Sequence, residues 1–400
     1  MTGDGIDPRL DSRHSWVIAV AGMTSMFVVF GVAYSFGAFF RSMSEEFGAG
    51  SGQTALIFSI TISLSFVLGM FTGRWADRAG PKPVLIAGAV SLTVGLLLTA
   101  VVPELWMGYI TYGGGVGFAV ACGYVPMVAT VGGWFQKKRA GALGLSVAGI
   151  GLGTLVGSPL AARLISATSW RTTYVVFAIG GGGVLVLVAL LAERGPAAPP
   201  AARPRSLWQM LHVRDFTLLY GATVFVTLGL FVPFVFIAAF AEDRGVGDVA
   251  AASLVGIIGG ASVVGRLGLG NLADRVGAVR LFKASFLTVT LSHVIWLFAG
   301  GGYGILVLYT IVLGVGYGGF IALSPAVAAL RFGLEGLGGL LGTMYTAAAI
   351  GSLAGPPLAG ALIDHWGYRT AISFAVVVSV ASVLVLAGFH LPETESVSQG

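Results

Sequence analysis

The chain has 400 residues, of which 56% are hydrophobic and only 10% charged, whereas charged residues make up about a quarter of a soluble globular protein. That balance excludes a soluble domain and predicts an all-α polytopic membrane protein. The net charge of +5 does not mark a nucleic-acid binder, because the basic residues are spread over short loops and gather on no single face.

The first segment, 1–15, carries acids and Pro8 ahead of any apolar run, unlike the basic start of a cleavable signal peptide, and reads as a cytoplasmic tail. Polar breaks and Gly/Pro punctuation then place spanning helices at 16–40, 53–75, 83–101, 105–133, 140–165 and 171–192. A Pro-, Ala- and Arg-rich stretch at 193–214 reads as a cytoplasmic linker, with Leu207 to Leu211 as a short surface helix. A second set of six follows at 215–240, 249–272, 279–299, 304–330, 337–363 and 369–389, and 390–400 is a second cytoplasmic tail. The expected architecture is two pseudo-symmetric six-helix bundles, 16–192 and 215–389, making 12 transmembrane helices. The single cysteine, Cys122, lies in an apolar segment and reads as a small buried hydrophobe.

Orientation follows from the basic residues. With the N-terminus inside, sixteen of the 22 Lys and Arg fall on the cytoplasmic side, five fall outside, and Arg266 lies within a span. The asymmetry predicts a multi-pass protein of the cell membrane with both termini cytoplasmic.

The two halves repeat in sequence. Gly73, Ala76, Asp77, Arg78 and Gly80 recur as Gly270, Ala273, Asp274, Arg275 and Gly277, 197 positions later, and SPLAARLISATSWRT from Ser158 aligns with PPLAGALIDHWGYRT from Pro356 at an offset of 198. Parallel six-helix repeats place a solute site between the halves near the midplane, and alternating access is the expected mechanism.

Arg266 is the residue most at odds with its surroundings. It lies eight residues before Asp274, where the polar loop begins, and therefore roughly 12 Å deeper than that loop. A guanidinium does not deprotonate in proteins, so a buried one faces a cavity or a partner. We read it as an anion-binding group; the plainer alternative is a side chain that snorkels to the interface.

GRWADRAGPK resembles the motif between helices two and three of the major facilitator superfamily. The resemblance implies a gate built from Gly73, Asp77, Arg78 and Gly80, echoed by Asp274 and Arg275, with the Asp and Arg capping and bridging helix ends. Within that superfamily, Trp134-Phe135, the basic run Lys137 to Arg139, Ala142 to Leu145, Ala148-Gly149, Pro159-Leu160 and Trp170-Arg171 are similar to the monocarboxylate transporter family and its bacterial relatives, including the oxalate/formate exchangers. Arg266 then falls where these families carry a carboxylate-pairing Arg on helix eight. Two positions depart: Tyr34 stands where animal members carry a Lys, and Ser262 where they carry an Asp. The exchangers' second cation, a Lys on helix eleven, has no counterpart from Gly342 to Gly355.

Superfamily architecture puts helices one, four, seven and ten around the cavity. Hydroxyl donors for a small carboxylate are accordingly expected from Tyr34, Tyr124 and Tyr317, with Tyr345 on helix eleven. His293 on helix nine reads as a hydrogen-bonded structural residue, although a proton path past it stays open. Pro126, Pro159, Pro233, Pro325, Pro356 and Pro357 are expected kinks.

The expected function is secondary transport of small monocarboxylate anions such as lactate or pyruvate, with proton symport. The partners are the anion, a proton and the lipid bilayer; no nucleic acid and no cofactor is expected, and a monomer suffices. An organic-anion exchanger and a non-transporting solute sensor are the alternatives. An enzyme is disfavoured because the spans hold no paired carboxylates, no metal cluster and no nucleophile with a base.

Overall fold

The computed structural model describes residues 9–196, 210–333 and 337–389, with the side chains of Asp274 and Leu337 outside the described residues. The tails 1–8 and 390–400 and most of the linker, with the start of the surface helix at Leu207, also lie outside them.

Among the described residues, 12 helices are long and apolar enough to cross a membrane. The first half contains α1 (Arg13–Phe47), α2 (Ser51–Ala79), α3 (Pro81–Thr99), α4 (Leu105–Trp134), α5 (Arg139–Ala167) and α6 (Trp170–Leu191). The second contains α7 (Arg214–Glu242), α8 (Asp248–Ala273), α9 (Ala278–Phe298), α10 (Tyr303–Phe332), α11 (Gly339–Trp366) and α12 (Tyr368–Ala387). Each expected span overlaps one of them, and several helices run past the expected ends, α1 from Arg13 to Phe47. Gly80 and Gly277 end the second helix of each half with φ of 86° and 98°, a region that glycine enters without steric cost.

Packing repeats between the halves. Helix α1 lies on α5 as α7 lies on α11, α2 on α4 as α8 on α10, and α3 on α6 as α9 on α12. The last pairs are outermost, and they present Val90, Ile179, Leu187, Leu291 and Val377 outward, a surface that lipid, not water, satisfies. The halves meet along α5 with α8, α2 with α11, and the second segments of α1 and α7.

Helices α1 and α7 are each broken once. The break in α7 falls at Phe231, just before Pro233, which has no N–H to continue the ladder. The break in α1 falls at Ser35, whose hydroxyl donates to the Val32 carbonyl at 2.7 Å and so competes with the helical bond. Ser35 and Phe231 are 196 positions apart, close to the offsets of the sequence repeat. The remaining prolines singled out sit inside α4, α5, α10 and α11.

Polar contacts between the halves concentrate on the face opposite the termini. Arg41 of α1 reaches Glu242 of α7 at 2.9 Å and also pairs with Asp243. The N-cap of α2, Gly50, has no side chain to cap with, and Asp364 of α11 accepts instead from the Ser51 and Gly52 amides at 3.0 and 3.4 Å. On the terminal face the Arg331 to Asp215 pair lies within the second half. The structure is therefore closed on the far face.

Candidate anion site between the halves

Between the halves lies a cavity with about 60 Å³ of unfilled space, walled by Tyr34, Tyr124, Arg266, Tyr317 and Tyr345 together with Phe30, Phe66, Phe320 and Met344. A water needs about 10–15 Å³ on this measure, so the space suits a solute of a few heavy atoms. All five side chains expected to contact solute meet here.

The position of Arg266 follows from the close approach of α8 and α10. A Cβ on Gly318 would sit 2.2 Å from the Ser262 carbonyl oxygen and 2.9 Å from the Arg266 nitrogen, so only glycine lets the backbones pass this closely. Arg266 is 7% exposed, and its guanidinium carbon lies 5.5 Å from the centroid of the Tyr317 ring, within cation–π range. Its Nη1 donates to the Val147 carbonyl of α5 at 2.9 Å. That carbonyl belongs to the other half of the protein and has a second lone pair to offer. The snorkelling alternative is not what the structure contains.

The Nε and Nη2 of Arg266 are buried without a partner, and no carboxylate among the described residues pairs with the guanidinium. Nε and one Nη form a parallel pair of donors that fits the two oxygens of a carboxylate. Ser262, one turn earlier, is buried and donates to the Gly259 carbonyl at 2.7 Å.

Aromatic packing fixes the tyrosines. The Tyr34 ring lies 4.6 Å from Phe234, which lies 5.8 Å from Tyr317; Phe30 meets Tyr124 edge-on at 5.6 Å, and Phe66 lies 5.8 Å from Tyr345. The hydroxyls of Tyr34 and Tyr317 are 3.0 Å apart, which joins α1 to α10.

Three lining hydroxyls had not been singled out from the sequence. Ser65, Thr223 and Ser324 donate to Ile62, Leu219 and Phe320 carbonyls at 2.7, 2.8 and 2.6 Å. Serine and threonine are common in these spans, and their spacing carried no signal. His293 is buried between α9 and α12, with Nδ1 3.0 Å from the Ser379 hydroxyl, and is absent from the cavity wall; a proton path past it finds no support.

The motif residues lie apart from the cavity. Gly73 packs against Val125, Gly80 ends α2, and Arg275 is exposed. Asp77 and Arg78 are exposed as well, and among the described residues their side chains make no ion pair or hydrogen bond.

Comparison with known proteins accords with this geometry. The family model described as Major Facilitator Superfamily matches residues 22–302 and 219–400. Monocarboxylate transporter 3 of Rattus norvegicus is 32% identical over 408 residues, spanning 96% of this chain and 80% of the relative. Monocarboxylate transporter 4 of the same species is 29% identical, over 95% of this chain and 84% of its own, and monocarboxylate transporter 11 of Homo sapiens is 28% identical, over 90% and 79%. The chain therefore belongs to the major facilitator superfamily and, within it, to the monocarboxylate transporter family, whose members are membrane transporters and not enzymes.

Proposed function

We propose that the protein carries small monocarboxylates of the lactate and pyruvate class across the membrane by alternating access, together with a proton. The observation that carries this reading is the free Nε and Nη2 edge of Arg266 at a cavity of about 60 Å³. The names of the relatives point to the same solute class. One cation suits one carboxylate, because a dianion would leave a charge unpaired in a low-dielectric site at a cost of several kcal/mol. The charge asymmetry of the loops makes the terminal face cytoplasmic, so the closed face is the extracellular one.

Proton coupling rests on charge. The empty site is cationic and the loaded site nearly neutral, so moving the two forms differently across the membrane is electrogenic. A co-transported proton makes net uptake electroneutral. The competing reading is exchange of one organic anion for another. It is favoured by the absence of any Asp or Glu from the cavity wall among the described residues and by Ser262 one turn before Arg266.

Proteoliposomes decide between them. An inward proton gradient should drive lactate accumulation that a protonophore collapses. Fast counterflow that ignores the gradient, with no net uptake, would establish the exchanger.

A further inference from the structure

The Tyr34 to Tyr317 bond is a hydrogen bond between neutral side chains that crosses between the halves, as does the bond between the Tyr124 and Tyr345 side chains. Tyr34 is the last residue before the break in α1, and Tyr317 lies on α10 beside the Arg266 guanidinium. Both line the cavity and both are nearly sealed, at 2% and 4% exposure. We propose that this bond is a latch on far-face opening, and that an oxygen on the α-carbon of the solute releases it. The inference rests on the carboxylate reading of Arg266 and adds a selectivity step to it.

Far-face opening parts α1 from the second half and must break the tyrosine pair. In a dry setting that leaves a donor and an acceptor unmatched, an unfavourable state. While the pair is intact, one hydroxyl donates to the other, and the second hydroxyl proton has no acceptor among the described residues. A solute whose carboxylate occupies Nε and Nη2 brings its α-substituent beside the Tyr317 ring. An α-oxygen there accepts the idle proton, and an α-hydroxyl also donates to the other tyrosine. Both hydroxyls then keep partners as the halves separate. A CH₂ at the same position fills the carboxylate fork and leaves the latch closed. Lactate and pyruvate should therefore be carried, whereas propionate should be bound and held.

The test separates binding from movement. Thermal stabilisation of purified protein by lactate, pyruvate and propionate reports binding, and counterflow in proteoliposomes reports translocation. All three acids should stabilise the protein, while lactate and pyruvate exchange about three- to tenfold faster than propionate, the worth of one hydrogen bond expressed as a rate. The difference should appear in maximal rate and not in half-saturation. In Tyr34→Phe and in Tyr317→Phe the lactate to propionate ratio should fall toward one. Equal exchange of propionate and lactate by the unmodified protein would overturn the latch, as would an unchanged ratio in both variants. In those cases retained stabilisation leaves the Arg266 reading standing. Stabilisation by none of the three acids would remove that reading and the latch with it.

Discussion

Arg266 Nη1 donates to the Val147 carbonyl oxygen at 2.9 Å, so the cation of the cavity wall is tethered to the opposite half of the protein while its Nε and Nη2 stay open. The tether orients the guanidinium before any solute arrives, which lowers the ordering cost of binding. It also lets one residue sense the position of both halves.

That orientation depends on how closely α8 and α10 approach. Gly318→Ala places a methyl carbon 2.2 Å from the Ser262 carbonyl oxygen, and overpacking of this kind costs about 1–3 kcal/mol. We expect a lower melting temperature and a loss of lactate uptake larger than the loss of folded protein, because Arg266 shifts with its helix. Unchanged uptake per folded molecule would show that the glycine contact does not set the site.

The far-face seal makes a separate prediction. Asp364 caps α2 from the other half of the protein, and a carboxylate at a helix N-terminus contributes about 0.3–1 kcal/mol. Asp364→Ala should raise the far-open population about two- to fivefold. Spin labels at Glu104→Cys and Gly301→Cys report the far-face distance without interference, since Cys122 is buried. An unchanged distance distribution would show that the cap plays no part in closure.

Acid should loosen one surface contact at a definable pH. Asp11 accepts hydrogen bonds from the Lys137 and Lys138 amides at 3.0 Å and from the Gln136 amide at 3.3 Å. The Lys137 amide above all, then those of Lys138 and Gln136 and the Lys138 charge, hold its carboxyl below the usual range. The folded value lies under the unfolded value of about 3.9, so the contribution is complete above about pH 4 and fades as pH falls through the folded value. Exchange protection of the Lys137 and Lys138 amides, corrected for intrinsic rate, should fall in that window. Asp11→Asn should lower protection at neutral pH and flatten the profile.

The spans and the internal repeat were legible because each rests on local pattern. Apolar runs of about 20 residues admit few structures in lipid, and GRWADRAG against GNLADRVG needs only alignment. Arg266 was legible for the same reason, as a fixed charge in an apolar run. The partners of these residues were not. Nothing near Arg266 in sequence points to Val147, 119 positions away, and nothing near Tyr34 points to Tyr317, 283 positions away. The break at Ser35 was hidden because no proline marks it, whereas Pro233 advertises its counterpart in α7. Asp364 looked like an ordinary loop acid until the fold set it against a helix start with no cap of its own.

Lactate binding by Arg266→Ala tests the central claim most directly. The variant should fold, because removing a partly unpartnered cation from a buried site relieves a desolvation cost, and its melting temperature without ligand should be no lower than that of the unmodified protein. Added lactate should then produce no thermal shift and no counterflow, and Arg266→Lys should recover little of either, since an ammonium cannot reproduce the paired donors. A lactate-dependent shift and uptake in Arg266→Ala equal to those of the unmodified protein would contradict the assignment of Arg266 as the carboxylate anchor.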